Sequence, residues 1–336
     1  MEFGKIPVKA AKEAILAHSV TLASGVLKKG TVLDEADIAA LIENNIESVY
    51  AAKLAEDDIN ENDAAITIGK VLGGANVKVE ATSSGRANLF AKQSGVVEIN
   101  ADIINQLNAI DESLTVACLM PFERVEQGQM LATVKIIPYA VSKATMDAGL
   151  AVIGESMPIA VVAFEPKRVG LIITRLEQTK QSLIEKTEKV MTERVEGAGS
   201  ILGRVSVVNH DANAVSLALN TISPHHDIAL VFGASAIVDR ADVVPVAVKQ
   251  VGGEIEHLGM PVDPGNLLLL ARIGEMPVIG VPTCARSLKR NGFDWVLERL
   301  LAGVKVTGDD LQGMGVGGLL KDIPSRPHPR FRSKET

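Results

Sequence analysis

Residues 227–245 read DIALVFGASAIVDRADVVP, a five-residue apolar run from Ile228 to Phe232 that empties into Gly233, Ala234 and Ser235. An uninterrupted apolar run of this length, bounded by turn residues, is how a strand covered on both faces reads, and such strands belong to parallel sheets flanked by helices. Two further stretches repeat the arrangement: residues 252–270, GGEIEHLGMPVDPGNLLLL, and residues 276–287, MPVIGVPTCARS. In an open α/β sheet, turns of this kind lie side by side at the carboxyl ends of the strands, where ligands bind. Three of them in one domain predict one pocket.

Outward from this stretch the pattern alternates. VGLIIT (169–174) predicts a strand, SLIEKTEKVMTERVEGAG (182–199) an amphipathic helix with a glycine-rich stop, and GRVSVVNHD (203–211) a strand. ANAVSLALNTIS (212–223) predicts a helix, ADVVPVAVKQVGG (241–253) a short helix, and EIEHLGMP (254–261) a strand; NLLLLARI (266–273), PVIGVPT (277–283) and the helix NGFDWVLERLLAG (291–303) complete the series. The fold class predicted is α/β, a doubly wound and mostly parallel sheet with right-handed crossovers.

The first half has another rhythm. IPVKAAKEAILAHSV (6–20) predicts a helix, VLDEADIAALIENN (32–45) a second helix with Asp34 as its N-cap, and IESVYAAKL (46–54) a strand. From Arg86 to Ala140, short alternating segments with turns at Ser94-Gly95 and Gln127-Gly128 predict a small β-rich module, a barrel or sandwich, inside an α+β region. A boundary is expected at FEPKRVG (164–170), which gives an N-terminal region 1–165, an α/β domain 166–322 and a disordered tail 323–336, rich in proline and arginine.

Composition narrows the function classes. Of 336 residues 47% are hydrophobic and 3% aromatic, with a net charge of −7. So few aromatics leave no stacking platform for single-stranded nucleic acid, and the acidic balance leaves no broad phosphate-binding face. A small anionic ligand is still compatible, because local amides and a few cations hold it. Cys118 and Cys284 stand far apart without CxxC spacing, which points away from a disulfide framework or structural zinc and towards a reducing compartment. No secretory signal opens the chain, and its longest apolar runs fall short of the about 18 residues a membrane span requires. The expectation is a soluble cytoplasmic protein with no membrane and no nucleic-acid partner.

Each candidate site residue has two readings. Gly233, Ala234 and Ser235 either cradle a phosphate on backbone amides at a helix N-terminus or form an ordinary tight turn. Neither GxGxxG nor GxxxxGK[ST] is present. Asp239 and Asp242 either hold magnesium with a nucleotide or serve as turn residue and helix cap. Pro264, Gly265 and Asn266 form a turn, or a backbone a ligand approaches closely. Arg286, Lys289 and Arg290 are a solvated charge run or cations facing an anion; Cys284 is a packed small residue or a thiol. His210, His225, His226 and His257 read as strand ends or loop residues, and His210 also falls where it would line the same cleft.

The order of these motifs resembles the molybdopterin-binding domain shared by molybdopterin adenylyltransferases and molybdopterin molybdotransferases. The family's GGTG…RD..P or GG.S.GD.D is matched by GASAIVDRADVVP at Gly233, Ser235, Asp239, Asp242 and Pro245, its PG[KQ]P-like turn by Asp263-Pro264-Gly265-Asn266, and its LPG.P.S by residues 281–287. LASGVLKKGTVLDEADIAALIENNIESVYAAKL (22–54) is similar to an N-terminal segment of the molybdotransferases, and the chain is closer still to a bacterial group in which such a region precedes a nucleotidyltransferase domain. The resemblance implies molybdopterin as ligand or substrate, held by Gly233, Ala234, Ser235, Pro264, Gly265, Asn266, Pro282, Thr283, Cys284, Arg286, Ser287 and Thr174. Asp239 and Asp242 would be the catalytic and metal-holding pair for magnesium with ATP or CTP.

In a transferase of that kind the pterin phosphate attacks an activated nucleotide, with metal and cations stabilising the developing charge. The resemblance also implies a homo-oligomer and a nucleotidyltransferase or molybdoenzyme partner. Leu176 stands where the family's TGDEL-like motif has aspartate, Ala234 and Thr283 where it has glycine, and Ala285 where it has proline. These departures leave three functions open: a transferase, a non-catalytic carrier or scaffold of the cofactor, and a nucleotide hydrolase like the competence-damage proteins.

Overall fold

The structure, a computed structural model, describes residues 1–320. The tail expected at 323–336 lies outside the described residues. The chain forms two compact units: one from Met1–Gln93, Val97–Pro121 and Val125–Val161, the other from Ser94–Val96, Phe122–Arg124 and the chain from Val162 onward.

The second unit is built on a six-stranded sheet in the order Ile201–Asn209, Arg168–Arg175, Ile228–Phe232, Met276–Val281, Leu269–Ile273, Glu254–Leu258. The first four pair in parallel and the last two pairings are antiparallel, so Leu269–Ile273 alone runs against the other five strands of this sheet. The central strand Ile228–Phe232 is buried at every position, as its unbroken apolar run requires. Its alternate residues serve two cores. Ile228, Leu230 and Phe232 pack with Ile184, Met191 and Val195 of the helix Gln181–Glu196 and with Phe293 and Leu297 of the helix Gly292–Leu301. Ala229 and Val231 pack with Val215 and Leu219 of the helix Ala212–Ile222 and with Val244 and Val248 of the helix Val243–Gln250. Helices therefore cover both faces of the sheet. Each large apolar side chain fully buried in this way contributes about 1.5–3 kcal/mol.

The hairpin joining Leu269–Ile273 to Met276–Val281 departs from a strict strand–helix alternation. Its two-residue turn is Gly274-Glu275, with Gly274 at φ 57° and Ile273 paired with Met276. Glycine followed by any residue between two apolar runs is a hairpin signal.

In the first unit the expected helix over 6–20 is replaced by the strand Glu2–Pro7, a single 3₁₀ turn Val8–Ala10 and the short strand Ile15–Leu16. Glu2–Pro7 pairs along its length with Ser48–Lys53. Val8, Ala11, Ala14 and Leu16 are buried at a spacing that imitates a helical face, yet Glu13 adopts φ 68°, which no right-handed helix accommodates. The helix Glu35–Glu43 does start at Asp34, through a capping box with Asp37. The segment from Arg86 to Ala140 contributes strands to two sheets, and Val97, Ile99 and Val125 of the three-stranded sheet Arg124–Val125, Gly95–Ile99, Ile159–Ala163 share a core with the four-stranded one. Val77–Thr82, Arg86–Ala91, Met130–Ile136 and Leu114–Cys118 form an antiparallel four-stranded sheet, and the segment also contains the helix Ala101–Asn108. That sheet shares a core with the helices Glu61–Leu72, Ala101–Asn108 and Lys143–Ile153.

Candidate functional site

The parallel strands deliver the three turns to one edge of the sheet, and side chains lock them together. Arg286 reaches from the third turn to the first, its Nη2 donating to the carbonyl of Gly233 at 3.2 Å. The second turn meets the helix that follows the third: the amide of Gly292 donates to the carbonyl of Pro264 at 2.9 Å. Gly265 lies at φ 137°, and a Cβ there would stand 2.7 Å from the Gly292 nitrogen, so this close approach requires glycine. Asn266 closes the same turn, exchanging hydrogen bonds with Met260 through backbone and side chain. The Asp263-Pro264 peptide is cis.

Thr174 ends the strand Arg168–Arg175 and is 1% exposed. Its hydroxyl oxygen accepts the Ala234 amide at 2.6 Å and stands 2.9 Å from Nδ1 of His210 and 3.4 Å from the carbonyl of Phe232. Thr174 thus holds the turn from beneath. The Gly233–Ala234 peptide group is gripped at both ends, its carbonyl by Arg286 and its amide by Thr174. That amide, one of those expected to cradle a phosphate, is engaged with the protein. The Ser235 amide has no protein acceptor among the described residues, and Ser235 is exposed.

The third turn runs through buried Pro282 into a single 3₁₀ turn, Thr283–Arg286, whose first two side chains, Thr283 and Cys284, are exposed. Arg286 is half-buried, with its guanidinium carbon 4.4 Å from the centroid of the Phe232 ring and its Nε 3.4 Å from the Thr187 hydroxyl. Among the described residues it has no carboxylate partner. Burial alone pushes this guanidinium below its ordinary value, which is the mark of a cation held without a counter-charge. Although the Cys284 side chain is exposed, partial desolvation of its sulfur pushes the thiol up, which disfavours the nucleophilic thiolate.

Arg286 is separated from the two cations beside it in sequence. Arg290 turns away to make a two-pronged pair with Glu298, at 3.0 and 2.7 Å, and Lys289 is exposed. Ser287 accepts the Lys289 amide on its hydroxyl at 3.3 Å.

Arg194 is a positioning residue that the sequence pattern does not single out. From the helix Gln181–Glu196 it donates to the carbonyls of Ala285 at 3.0 Å and Ser287 at 2.6 Å and pairs with Asp294 at 2.6 Å. Asp294 also accepts the Asn291 amide at 2.7 Å in the capping box of the helix Gly292–Leu301. One guanidinium therefore fixes the backbone of the third turn to the helix after it. In sequence it reads only as the basic residue near a helix end.

The aspartates lie in the loop after the first turn. Asp242 caps the helix Val243–Gln250, accepting the Val243 amide at 2.7 Å and the Val238 amide at 3.3 Å, and exposed Asp239 accepts the Ala241 amide at 2.7 Å. Among the described residues no group of three or more His, Cys, Asp or Glu could hold a metal ion.

Elsewhere, His226 is fixed structurally: Nδ1 meets the Ile222 carbonyl at 3.0 Å and Nε2 accepts the Arg204 amide at 3.1 Å. His226 also lines a cavity of about 620 Å³ at the opposite edge of the sheet, with Lys167, Asp227, Glu256, Arg272 and Glu275. This cavity and the three turns are therefore at different ends of the same sheet. No helix among the described residues is long and apolar enough to cross a membrane.

Comparison with known proteins adds little to this geometry. A domain of unknown function, DUF8806, matches residues 5–53. No curated protein matches the chain. Among solved structures it is similar to a molybdopterin biosynthesis MoeA protein from Pyrococcus horikosii, 12% identical, covering 90% of this chain and 75% of that one with a TM-score of 0.32. Molybdenum cofactor biosynthesis protein B is 17% identical over 41% of this chain and 88% of its own, with a TM-score of 0.28. The CinA protein of Thermoplasma acidophilum, of unknown function, is 13% identical over 37% and 92%, with a TM-score of 0.31. TM-scores this low carry no argument, and the site's chemistry rests on its own residues.

Proposed function

We propose that the carboxyl edge of the six-stranded sheet binds molybdopterin, or its nucleotide- or metal-loaded form, and that the protein serves molybdenum cofactor biosynthesis. The observation that carries this reading is Arg286. A half-buried guanidinium without a carboxylate partner is costly unless an anion completes it, and it lies among three turns whose order resembles the molybdopterin-binding motifs. Arg286, the Ser287 hydroxyl and the Ser235 amide are the groups that meet the terminal phosphate. Pro264, Gly265 and Asn266 present closely approached backbone on another side of the ligand. A magnesium ion, if bound, sits on Asp239 and Asp242 and neutralises nucleotide phosphates.

A second reading, a carrier that binds the cofactor without transferring a nucleotide, is favoured by one observation. The Ala234 amide donates to Thr174 and so is withheld from the developing charge that a catalytic turn would stabilise. Incubating the full chain with molybdopterin and Mg-ATP or Mg-CTP, and following pterin retention and nucleotide products by mass spectrometry, separates the readings. The transferase yields nucleotide products. The carrier retains pterin without turnover, and a nucleotide hydrolase turns over nucleotide with no pterin present; failure to retain pterin in any condition overturns the molybdopterin reading. In a transferase, Asp242→Asn abolishes turnover and spares pterin binding, because asparagine still caps the helix; full activity in that variant removes the metal role.

A further inference from the structure

The six-stranded sheet ends in two outer strands that are finished differently. Glu254–Leu258 is short and carries Glu254, Glu256 and His257. Arg272 of the neighbouring strand pairs with both carboxylates, at 2.8 and 3.3 Å. The pairing register shifts between Ile255 and His257, and the helix Gly308–Gly313 packs against the strand. Charge, irregular pairing and a covering element are the devices by which proteins keep an outer strand from recruiting another.

Ile201–Asn209 lacks most of them. It runs for nine residues, ILGRVSVVN, with Arg204 its one charge, and none of its residues is buried; Ile201 is 55% and Val207 42% exposed. Its neighbour on one side is Arg168–Arg175, and no strand among the described residues lies on the other. The one irregularity in that pairing falls between Leu202 and Val205, so Val205–Asn209 is a regular, uncharged stretch. Alternate residues of a parallel strand turn amide and carbonyl to the neighbour, and those between turn both away. The His210 amide donates to the Arg175 carbonyl at 2.9 Å, which sets Ser206 and Val208 towards the neighbour and Val205, Val207 and Asn209 towards the free side. Of the amides and carbonyls on that side, only the Asn209 carbonyl has a partner among the described residues, the Asp211 amide at 2.8 Å.

We propose that Ile201–Asn209 is an interface between two copies of this chain, the strand pairing antiparallel with itself so that one sheet runs through both molecules. A two-fold axis perpendicular to the strand runs the copies antiparallel, and each offers the other the same row of amides and carbonyls. A second copy is the occupant that fits. Head-to-tail addition would need Glu254–Leu258, which is guarded, whereas pairing of the strand with itself uses up both free sides and closes at two. The stretch that meets itself is uncharged, so the seam opposes no like charges, and Val205 and Val207 bring apolar side chains to it. The pairing is independent of any ligand at the carboxyl edge.

Analytical ultracentrifugation of the full chain over a concentration series is expected to show a monomer–dimer equilibrium. Val207→Pro removes one outward amide from each copy without taking a bond from the sheet of its own molecule, and weakens the dimer about tenfold to a hundredfold, as loss of two hydrogen bonds does. Val207→Lys, a change at an exposed position, brings two cations to the seam and weakens the dimer about tenfold. Hydrogen exchange is expected to find the Val205 and Val207 amides protected in the dimer and to show that protection lost on dilution. Should Val207→Pro fail to fold, Val207→Lys and the exchange measurement decide the matter. A chain that stays monomeric, an odd-numbered assembly, or a dimer that both variants leave intact overturns the pairing. Protection of those two amides in a monomer assigns the strand's cover to another segment of this chain and overturns it as well.

Discussion

The two edges of the six-stranded sheet differ in how their charges are matched. At the amino edge, where the 620 Å³ cavity lies, Arg272 pairs with Glu254 at 2.8 Å and Glu256 at 3.3 Å, Lys167 with Glu165 at 2.7 Å, and Asp227 accepts the Arg168 amide at 2.7 Å. His226 is bonded on both ring nitrogens. At the carboxyl edge Arg286 has no carboxylate partner and His210 has an open nitrogen among the described residues. An incompletely matched donor in a half-buried place identifies a site better, because the protein tolerates its desolvation only where something else completes it.

The strongest way to break this contrast is to remove Arg194. Arg194→Ala leaves Asp294 without its cation and the Ala285 and Ser287 carbonyls without a donor, at side-chain exposures of 8% and 12% for the pair. Breaking a buried pair from one side costs about 3–5 kcal/mol. Chemical denaturation of the variant reads the loss directly, and a change under about 1 kcal/mol means the third turn is held by other contacts.

Next in size is a paired comparison across the sheet. Arg286→Gln weakens pyrophosphate binding about tenfold to a hundredfold, the range for one charge-assisted hydrogen bond, whereas Arg272→Gln at the amino edge leaves it unchanged. Calorimetric titration of both variants checks this. Equal effects would dissolve the distinction between the edges.

The smallest expected effect concerns Cys284. Partial desolvation of the sulfur raises its thiol, so at a given pH its thiolate fraction is below that of a free cysteine, and the reactive form accumulates only as pH rises past the ordinary range. Iodoacetamide labelling followed by mass spectrometry is expected to be slower at Cys284 than in glutathione at neutral pH, with the gap closing as pH increases. Labelling faster than glutathione would reinstate a reactive thiol.

Legibility in the sequence tracked the range of the interactions. The strands of the second unit were readable because a strand buried on both faces needs an unbroken apolar run, and its helices because they bury one face in four positions of each turn or so. The hairpin at Gly274-Glu275 was signalled by its turn, yet the series of apolar runs around it concealed the reversal. The helix expected over 6–20 failed for a non-local reason: Glu2–Pro7 finds its hydrogen bonds on Ser48–Lys53, a partner that no local window contains. Asp34 and Asp242 were recognisable as caps, since a cap acts within a few residues of itself.

By itself, then, the sequence determined the strand and helix periodicity of the second unit and the three turns and their order, and it named the candidates for holding an anion. Only the tertiary structure decided which of those residues act together. It separated Arg286 from Lys289 and Arg290, engaged the Ala234 amide with Thr174, opened one nitrogen of His210 while closing both of His226, and recruited Arg194 from 91 to 100 residues away. Hydrogen bonds and ion pairs are satisfied within about 3 Å in space, whatever the separation along the chain.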